Sequence, residues 1–190
     1  MLPLQQLVDD FGNALLAIDA SGIPHKSFKP GVGPYGEPQL AKGIIDYLRK
    51  IPAYHAAQTK RTPDIHIPNE WALELKIARP FGDNDKEAEN WSVNLLHPYE
   101  GNVSVIGDCL KLARFTGPER RAVIVIGYEH TPPKISLAPL FDAFEVICEK
   151  VMKIRLGPRT QIIKTDLCHP VHQQFIVAAW EVLVASPSRF

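Results

Sequence analysis

The sequence feature that most constrains the fold is an alternation of apolar and polar residues between Thr62 and Arg79. Successive side chains of a β-strand point to opposite faces, so this alternation predicts strands with one apolar face. Three residues interrupt the pattern at 68–70, and the interruption predicts a tight turn centred on Asn69 between two antiparallel strands. The residues of the apolar face are Ile65, Ile67, Trp71, Leu73, Leu75 and Ile77.

A turn centred on Asn69 also fixes the register of the predicted hairpin. The expected partners are Ile67 with Trp71, Ile65 with Leu73, and Asp64 with Glu74. Directly opposed residues have Cβ atoms about 4.5–5.5 Å apart, and two carboxylates in that position repel each other. The repulsion can be offset by a divalent cation bound between the carboxylates or by Lys76, which lies on the same face as Glu74.

Apolar periodicity and turn residues predict the other elements of the chain. They are a helix over 3–19, a loop over 21–38, a helix with Glu37 as its N-cap and Pro38 as its first residue, a short strand over 53–58, a helix over about 102–115, a strand over 122–127, a helix over 136–152 capped by Ser136, a strand over 160–166 and a helix over 170–184. Glu37 lies three residues before Leu40 on the apolar stripe of its helix, so its side chain is expected to point toward the interior.

These elements predict one α/β domain over residues 1–190, with a central mixed β-sheet flanked by helices. Its core spans about 37–128. The N-terminal helix over 3–19 and a C-terminal strand and helix over about 159–184 are additions to that core.

Charge and composition narrow the classes of function. With 21 Lys and Arg against 21 Asp and Glu, the formal net charge is zero, so a strongly basic nucleic-acid-binding protein is excluded. Basic residues nevertheless concentrate in 42–61 and 150–164, which permits a local basic groove.

The three cysteines have no close spacing and indicate neither a disulfide framework nor a zinc site. No apolar run reaches the ~18 residues of a membrane span and no signal peptide is evident, so we expect a cytoplasmic protein without membrane contact.

Two short segments of the predicted hairpin resemble a known catalytic motif. Pro63-Asp64, followed after nine residues by Glu74-Leu75-Lys76, is similar to the motif of the PD-(D/E)xK phosphodiesterase superfamily, the restriction-endonuclease-like nucleases. The core of that family runs helix, three strands, helix and strand, which is the order predicted here for 37–128. The resemblance implies a metal-dependent endonuclease, a hydrolase that uses Mg²⁺ with Mn²⁺ as a substitute. It also implies nucleic acid as the partner, with DNA favoured, and leaves assembly into a homodimer open.

The resemblance also assigns roles to individual residues. Asp64 and Glu74 would be metal ligands together with the backbone carbonyl of Leu75. Lys76 would help the attacking water or stabilise the charge that develops on the phosphate. Glu37 would match the acidic residue that many members of the family place on the first core helix, where it would be a catalytic residue and a further metal ligand.

The chemistry of phosphodiester hydrolysis explains why these residue types belong together. A water must attack the phosphorus of a diester whose non-bridging oxygens already carry negative charge. A metal ion lowers the pKa of that water and offsets the phosphate charge, and carboxylates hold the metal. An ammonium group beside the phosphate then neutralises charge that grows in the transition state.

Other interpretations of the sequence are open. The chain could be a catalytically inactive nucleic-acid-binding or assembly module that keeps the nuclease fold, or an enzyme of another α/β fold whose hairpin charges are merely solvated. The Cys168–His172 segment indicates the start of a helix more than a metal site. In the irregular segment 80–101, Trp91, His97 and Tyr99 could stack on bases or anchor a long loop to the core.

Overall fold

The computed structural model describes residues 1–99, 101 and 103–183. Its centre is an open, mixed sheet of seven strands in the order β1-β2-β3-β4-β7-β5, with β6 also paired to β7. The strands are β1 (Gln58–Thr59), β2 (Ile65–Ile67), β3 (Trp71–Ala78), β4 (Arg120–Glu129), β5 (Arg155–Leu156), β6 (Thr160–Lys164) and β7 (Gln174–Leu183). The helices are α1 (Leu4–Ala20), α2 (Glu37–Leu48), α3 (Val93–Leu96), α4 (Val105–Ala113) and α5 (Ala138–Val146), with a 3₁₀ turn at Pro52–Tyr54 and a π-helical turn at Ile147–Val151. The predicted α/β class with a central mixed sheet is confirmed.

The predicted hairpin forms β2 and β3. The observed partners are Ile65 with Leu73, His66 with Ala72, and Ile67 with Trp71, so the register predicted for the two apolar pairs is confirmed. The predicted pair of Asp64 with Glu74 is not part of the ladder, because β2 begins at Ile65. Asn69 has a φ of 63°, a left-handed conformation that Asn adopts more readily than most residues. The turn is therefore located where the alternation of side chains breaks.

The middle of the sheet is buried on both faces. β3 and β4 run parallel, an arrangement that requires a long crossover connection, and α3 and α4 lie in that connection. On one face α1 and α2 pack over Leu73, Leu75 and Ile124. On the other face α4 and α5 pack over Val123 and Val125. The two apolar layers explain why β4 is a continuous Val and Ile run instead of an alternating strand.

The predicted last helix over 170–184 is wrong, because residues 174–183 form the strand β7. This strand pairs with β4 on one side and with β5 and β6 on the other. It is apolar on both faces, and periodicity alone does not separate such a run from a buried helix. The segment before it, including Pro170, is irregular. Val184 lies outside the described residues.

Three other boundaries differ from the expectations. Gly36 precedes the first turn of α2, so Glu37 is the first helical residue instead of the N-cap and Pro38 is the second. The N-cap position of α5 is Leu137 instead of Ser136, and the helix begins at Ala138, whose N–H donates to Ser136 Oγ (3.3 Å). Most of the strand expected over 53–58 is irregular or 3₁₀ chain before β1. The sequence predicts that α4 starts at about residue 102, which lies outside the described residues. The observed helix begins at Val105, and Ser104 caps it by accepting a hydrogen bond from Gly107 N (3.1 Å).

Most of the remaining expectations agree closely with the structure. The N-terminal helix is observed at 4–20, and the strands expected over 122–127 and 160–166 are observed as β4 and β6. The helix expected over 136–152 is α5 continued by the π-helical turn. In the described part of the chain, no helix has the length and apolar character needed to cross a membrane.

Candidate active site

The candidate site lies along the part of β3 that extends beyond its pairing with β2. β2 pairs with β3 only as far as Leu73, while β3 continues beside β4 for the rest of its length. The backbone N–H of Leu75 donates to Asp64 Oδ2 (2.9 Å), and the N–H of Ile77 donates to Glu37 Oε1 (3.1 Å). Two carboxylates therefore take the place of a neighbouring strand along this edge.

The backbone carbonyl of Leu75 belongs to the same edge. A residue in a β-strand presents its N–H and its C=O to the same side of the strand. Because the Leu75 N–H is bound by Asp64, the Leu75 carbonyl also points toward the side where Asp64 and Glu37 lie. This is the orientation that a ligand role for the carbonyl would need.

Glu74 is the most unusual of the acidic residues. It is only 3% exposed, and its Oε1 has no hydrogen-bond partner among the described residues. Burial, together with the nearby carboxylates of Asp64 and Asp108, raises the pKa of Glu74 to about 8, although Lys111 opposes the rise. Without a cation, Glu74 is therefore held largely in its protonated form at neutral pH, which relieves the repulsion expected between Asp64 and Glu74.

Lys76 lies among the carboxylates. Its Nζ is 3.2 Å from Glu37 Oε2 and 3.5 Å from Asp108 Oδ2. Burial alone would lower the pKa of Lys76, but Asp108 and Glu37 outweigh burial and raise the pKa above its ordinary value. The ammonium group is therefore charged at neutral pH and held in place from two sides.

Asp108, on α4, is a member of the site that the sequence reasoning missed. It is 1% exposed and accepts a hydrogen bond from Lys111 Nζ (2.7 Å). Burial raises the pKa of Asp108, while Lys76 and Lys111 oppose that rise. The available signal was its place in α4, three residues after buried Val105 and therefore on the apolar side of the helix.

The charges of the site fit a divalent cation. The ionisable side chains are the carboxylates of Glu37, Asp64, Glu74 and Asp108 and the ammonium groups of Lys76 and Lys111. Carboxylates are in excess, and the unpartnered oxygen of buried Glu74 is an acceptor of the kind that hard cations bind. Within residues 1–99, 101 and 103–183, no three His, Cys, Asp or Glu side chains are clustered so that they could hold a metal. Mg²⁺ often takes only one or two carboxylates together with waters and substrate phosphates, so Asp64, Glu74 and the Leu75 carbonyl suit it.

Two clefts meet at Glu37. The first, of about 320 Å³, has Asp64 and Leu75 on one wall and Lys60 and Arg61 on another. We name it the basic cleft. Its two basic residues are exposed and come from the basic segment 42–61. The second cleft, of about 360 Å³, has Glu37 on its wall and extends past the end of β3.

The second basic segment, 150–164, lies away from this site. It contains β5 and β6, which are separated from β3 by β4 and β7. Arg159 Nε donates to Glu145 Oε1 (2.7 Å), and the same guanidinium is also paired with Asp142. Of the two basic segments, only 42–61 therefore lies beside the candidate site.

Comparisons with known proteins give this chain no relatives: no family model, no curated protein and no solved structure matches it. The interpretation of the site therefore depends on its own geometry and chemistry.

Proposed function

We propose that this protein is a metal-dependent nuclease that hydrolyses phosphodiester bonds in nucleic acid, with DNA the favoured substrate. The observation that carries the proposal is the buried carboxylate of Glu74, which keeps an unpartnered oxygen beside a second carboxylate, Asp64. The ionised form of such a carboxylate, which a metal ligand must adopt, is costly to bury without a partner. Such an arrangement is understandable if a cation completes it.

The order of the elements supports the same proposal. From α2 to β4 the chain forms a helix, three strands, helical segments and a strand, and β3 and β4 are parallel. This is the order of the PD-(D/E)xK core that the sequence motif resembles. In this order Asp64 comes just before β2 and Glu74 and Lys76 lie on β3, the positions that the motif requires.

The residues of the site have separable tasks in the proposed reaction. Asp64, Glu74 and the Leu75 carbonyl would hold Mg²⁺ or Mn²⁺, which when bound supplies a water of lowered pKa and offsets phosphate charge. The Lys76 ammonium, positioned by Glu37 and Asp108, would stabilise negative charge on the phosphate in the transition state. Lys60 and Arg61 in the basic cleft would bind the backbone of the substrate, which makes binding dependent on salt.

The direct test is a substrate panel of duplex, single-stranded and branched DNA and of RNA, incubated with the purified protein and either Mg²⁺, Mn²⁺ or EDTA. We expect cleavage of at least one substrate with metal and none with EDTA.

Lys76→Ala should bind that substrate but cut it roughly 10²–10³-fold more slowly, the loss typical of a missing electrostatic group in a transition state. Lys153→Ala, which removes an exposed amine far from the site, is the matched control and should cut normally. Unchanged cleavage by Lys76→Ala would overturn the role given to this residue.

One observation favours a second candidate function. Lys76 is paired with Glu37 and Asp108, and such pairing also suits a lysine that only stabilises the fold. A catalytically inactive nucleic-acid-binding or assembly module would retain that pairing. Binding of nucleic acid in the same panel, with no cleavage under any metal condition, would favour this module over the nuclease.

A further inference from the structure

The second cleft that meets Glu37 has a different chemical character from the basic cleft. Its walls include the rings of Phe28, Phe81 and Trp91, and the polar side chains of Arg79 and Asn94. Phe28 is 41% exposed, and Trp91 is half-buried. We name it the aromatic cleft. Its volume of about 360 Å³ is within the range of small-molecule sites.

The charges of the aromatic cleft argue against a phosphate group as its occupant. Glu37, Asp83 and Glu89 are on its walls. Glu37 is already paired with Lys76 and Asp83 with His169, whereas Glu89 is exposed, so the walls offer an anion no excess of positive charge. The one arginine there, Arg79, already donates from Nη1 to the carbonyl oxygen of Gly33 (2.8 Å). A neutral aromatic ring whose edge carries hydrogen-bond donors is complementary to these walls, because aromatic faces stack on it and carboxylates accept from its amino group.

The position of the aromatic cleft connects it to the candidate active site. Glu37 is a wall of both clefts. Ile77 is on the wall of the aromatic cleft, whereas Leu75 is on that of the basic cleft. Two residues along a strand span about 7 Å. A nucleic-acid strand whose phosphate lies beside Asp64 and Leu75 can therefore extend an attached base into the aromatic cleft.

We infer that the aromatic cleft is a subsite for one unpaired nucleobase next to the phosphodiester bond, with bases that carry an exocyclic amino group preferred to thymine. The inference rests on the proposed nuclease function and specifies its substrate as a strand that is single-stranded or locally unpaired. A base within a duplex has its faces covered by its neighbours and its edge occupied by its partner, so it must leave the stack before it can enter an aromatic pocket.

Tryptophan fluorescence provides a test of the subsite that does not depend on cleavage. The chain has three tryptophans, and Trp71 and Trp180 are fully buried, so the response to a stacking base comes from Trp91. With EDTA present, we expect single-stranded DNA to quench the fluorescence and a blunt duplex of the same sequence to have little effect. Oligodeoxycytidine should bind more tightly than oligothymidine. Equal quenching and equal affinity for single strand and duplex would overturn the inference.

Three variants test which residues form the subsite. Trp91→Ala and Phe28→Ala should each weaken binding of single-stranded DNA by roughly 5- to 100-fold, the range measured when a stacking aromatic is removed. Tyr99→Ala, in which the lost ring is 73% exposed and outside the cleft, is the matched control and should bind normally. Because Trp91 packs against the core, its variant is first checked by thermal melting. Phe28→Ala keeps the test decisive if Trp91→Ala fails to fold, and unchanged binding by Phe28→Ala would then overturn the subsite.

The same experiments separate this inference from the proposed function. If single-stranded DNA quenches Trp91 but no substrate is cut with metal, the subsite stands and the nuclease proposal fails. If duplex is cut as fast as single strand, and Phe28→Ala and Trp91→Ala cut normally, the nuclease proposal stands and the subsite is refuted.

Discussion

Two buried glutamates on neighbouring strands, Glu74 on β3 and Glu129 at the end of β4, have opposite environments. They are 3% and 4% exposed, respectively. Glu129 Oε1 accepts from the backbone N–H of Leu137 (2.6 Å), and Glu129 Oε2 accepts from Gln174 Nε2 (2.6 Å). Glu74 Oε1 has no such partner among the described residues, and its nearest charged neighbours include Asp64 and Asp108.

The difference shows how a structural acid and a functional acid can be told apart. Burial alone does not mark a site, because a buried carboxylate whose oxygens are both hydrogen-bonded can simply join two segments of chain. Glu129 does this for the start of α5 and for β7. A buried carboxyl group that faces other carboxylates and lacks a donor holds its proton to higher pH, and its ionised form is unfavourable until a bound cation stabilises it.

The largest difference is expected in catalysis. Glu74→Gln should lower the cleavage rate by roughly 10²–10³-fold, corresponding to about 3–4 kcal/mol in the activation free energy. Glu129→Gln should leave the rate per folded molecule within a few-fold of the wild-type rate, because Glu129 is bound to neutral groups away from the site. Single-turnover cleavage with Mg²⁺ measures both rates. If the two variants lose activity equally, the distinction between the two acids does not hold.

The second difference concerns stability without metal. Glu129→Ala should lower the free energy of unfolding by about 2–4 kcal/mol, because it leaves the Leu137 N–H and the Gln174 amide without their acceptor. Above pH 8, where the Glu74 carboxyl is ionised, Glu74→Gln should instead raise that free energy by about 1 kcal/mol, since a charge is then removed from a buried position beside two acids. Urea denaturation in EDTA compares the two variants. Destabilisation by Glu74→Gln would contradict the claim that the carboxylate is unfavourable there.

The third difference concerns metal binding. Mg²⁺ or Mn²⁺ at a hundred times its dissociation constant should stabilise the native protein by about 2.7 kcal/mol, which appears as a rise in Tm. Glu74→Ala should abolish the rise, whereas Glu129→Gln should retain it. Differential scanning calorimetry at increasing metal concentration provides the comparison. An equal rise in all three proteins would place the metal elsewhere.

The fourth difference is in the pH dependence of stability. The pKa of Glu74 is about 8 in the folded protein and near its ordinary 4.5 when unfolded. Between these values the folded state holds a proton that the unfolded state has lost, so metal-free stability should decrease as pH rises from 4.5 to 8. The slope contributed by one such group is at most about 1.4 kcal/mol per pH unit. Thermal melts in EDTA should show this component in the wild type and its loss in Glu74→Gln. Identical pH profiles for the two proteins would refute it.

The sequence predicted those parts of the site that depend on local pattern. The hairpin register follows from the alternation around Asn69, so the neighbouring positions of Asp64 and Glu74 could be inferred. Lys76 follows because it is two residues along the same strand as Glu74. These relations need no knowledge of how distant elements pack.

The parts that the sequence did not predict depend on tertiary packing. Asp108 reaches Lys76 because α4 crosses that face of β3, and the distance between them in sequence gives no hint of the contact. β7 was mistaken for a helix because its apolar run has neither strand nor helix periodicity, and only its place between β4 and β6 defines it. The contrast between Glu74 and Glu129 was also inaccessible, since it depends on donors supplied by α5 and β7.

The most direct test of the central claim is anomalous diffraction from crystals soaked in Mn²⁺. We expect an anomalous peak in contact with the carboxylates of Asp64 and Glu74 and with the Leu75 carbonyl, and no peak beside Glu129. Strong Mn²⁺ peaks elsewhere in the molecule, with none between Asp64 and Glu74, would contradict the claim that these two acids share a cation.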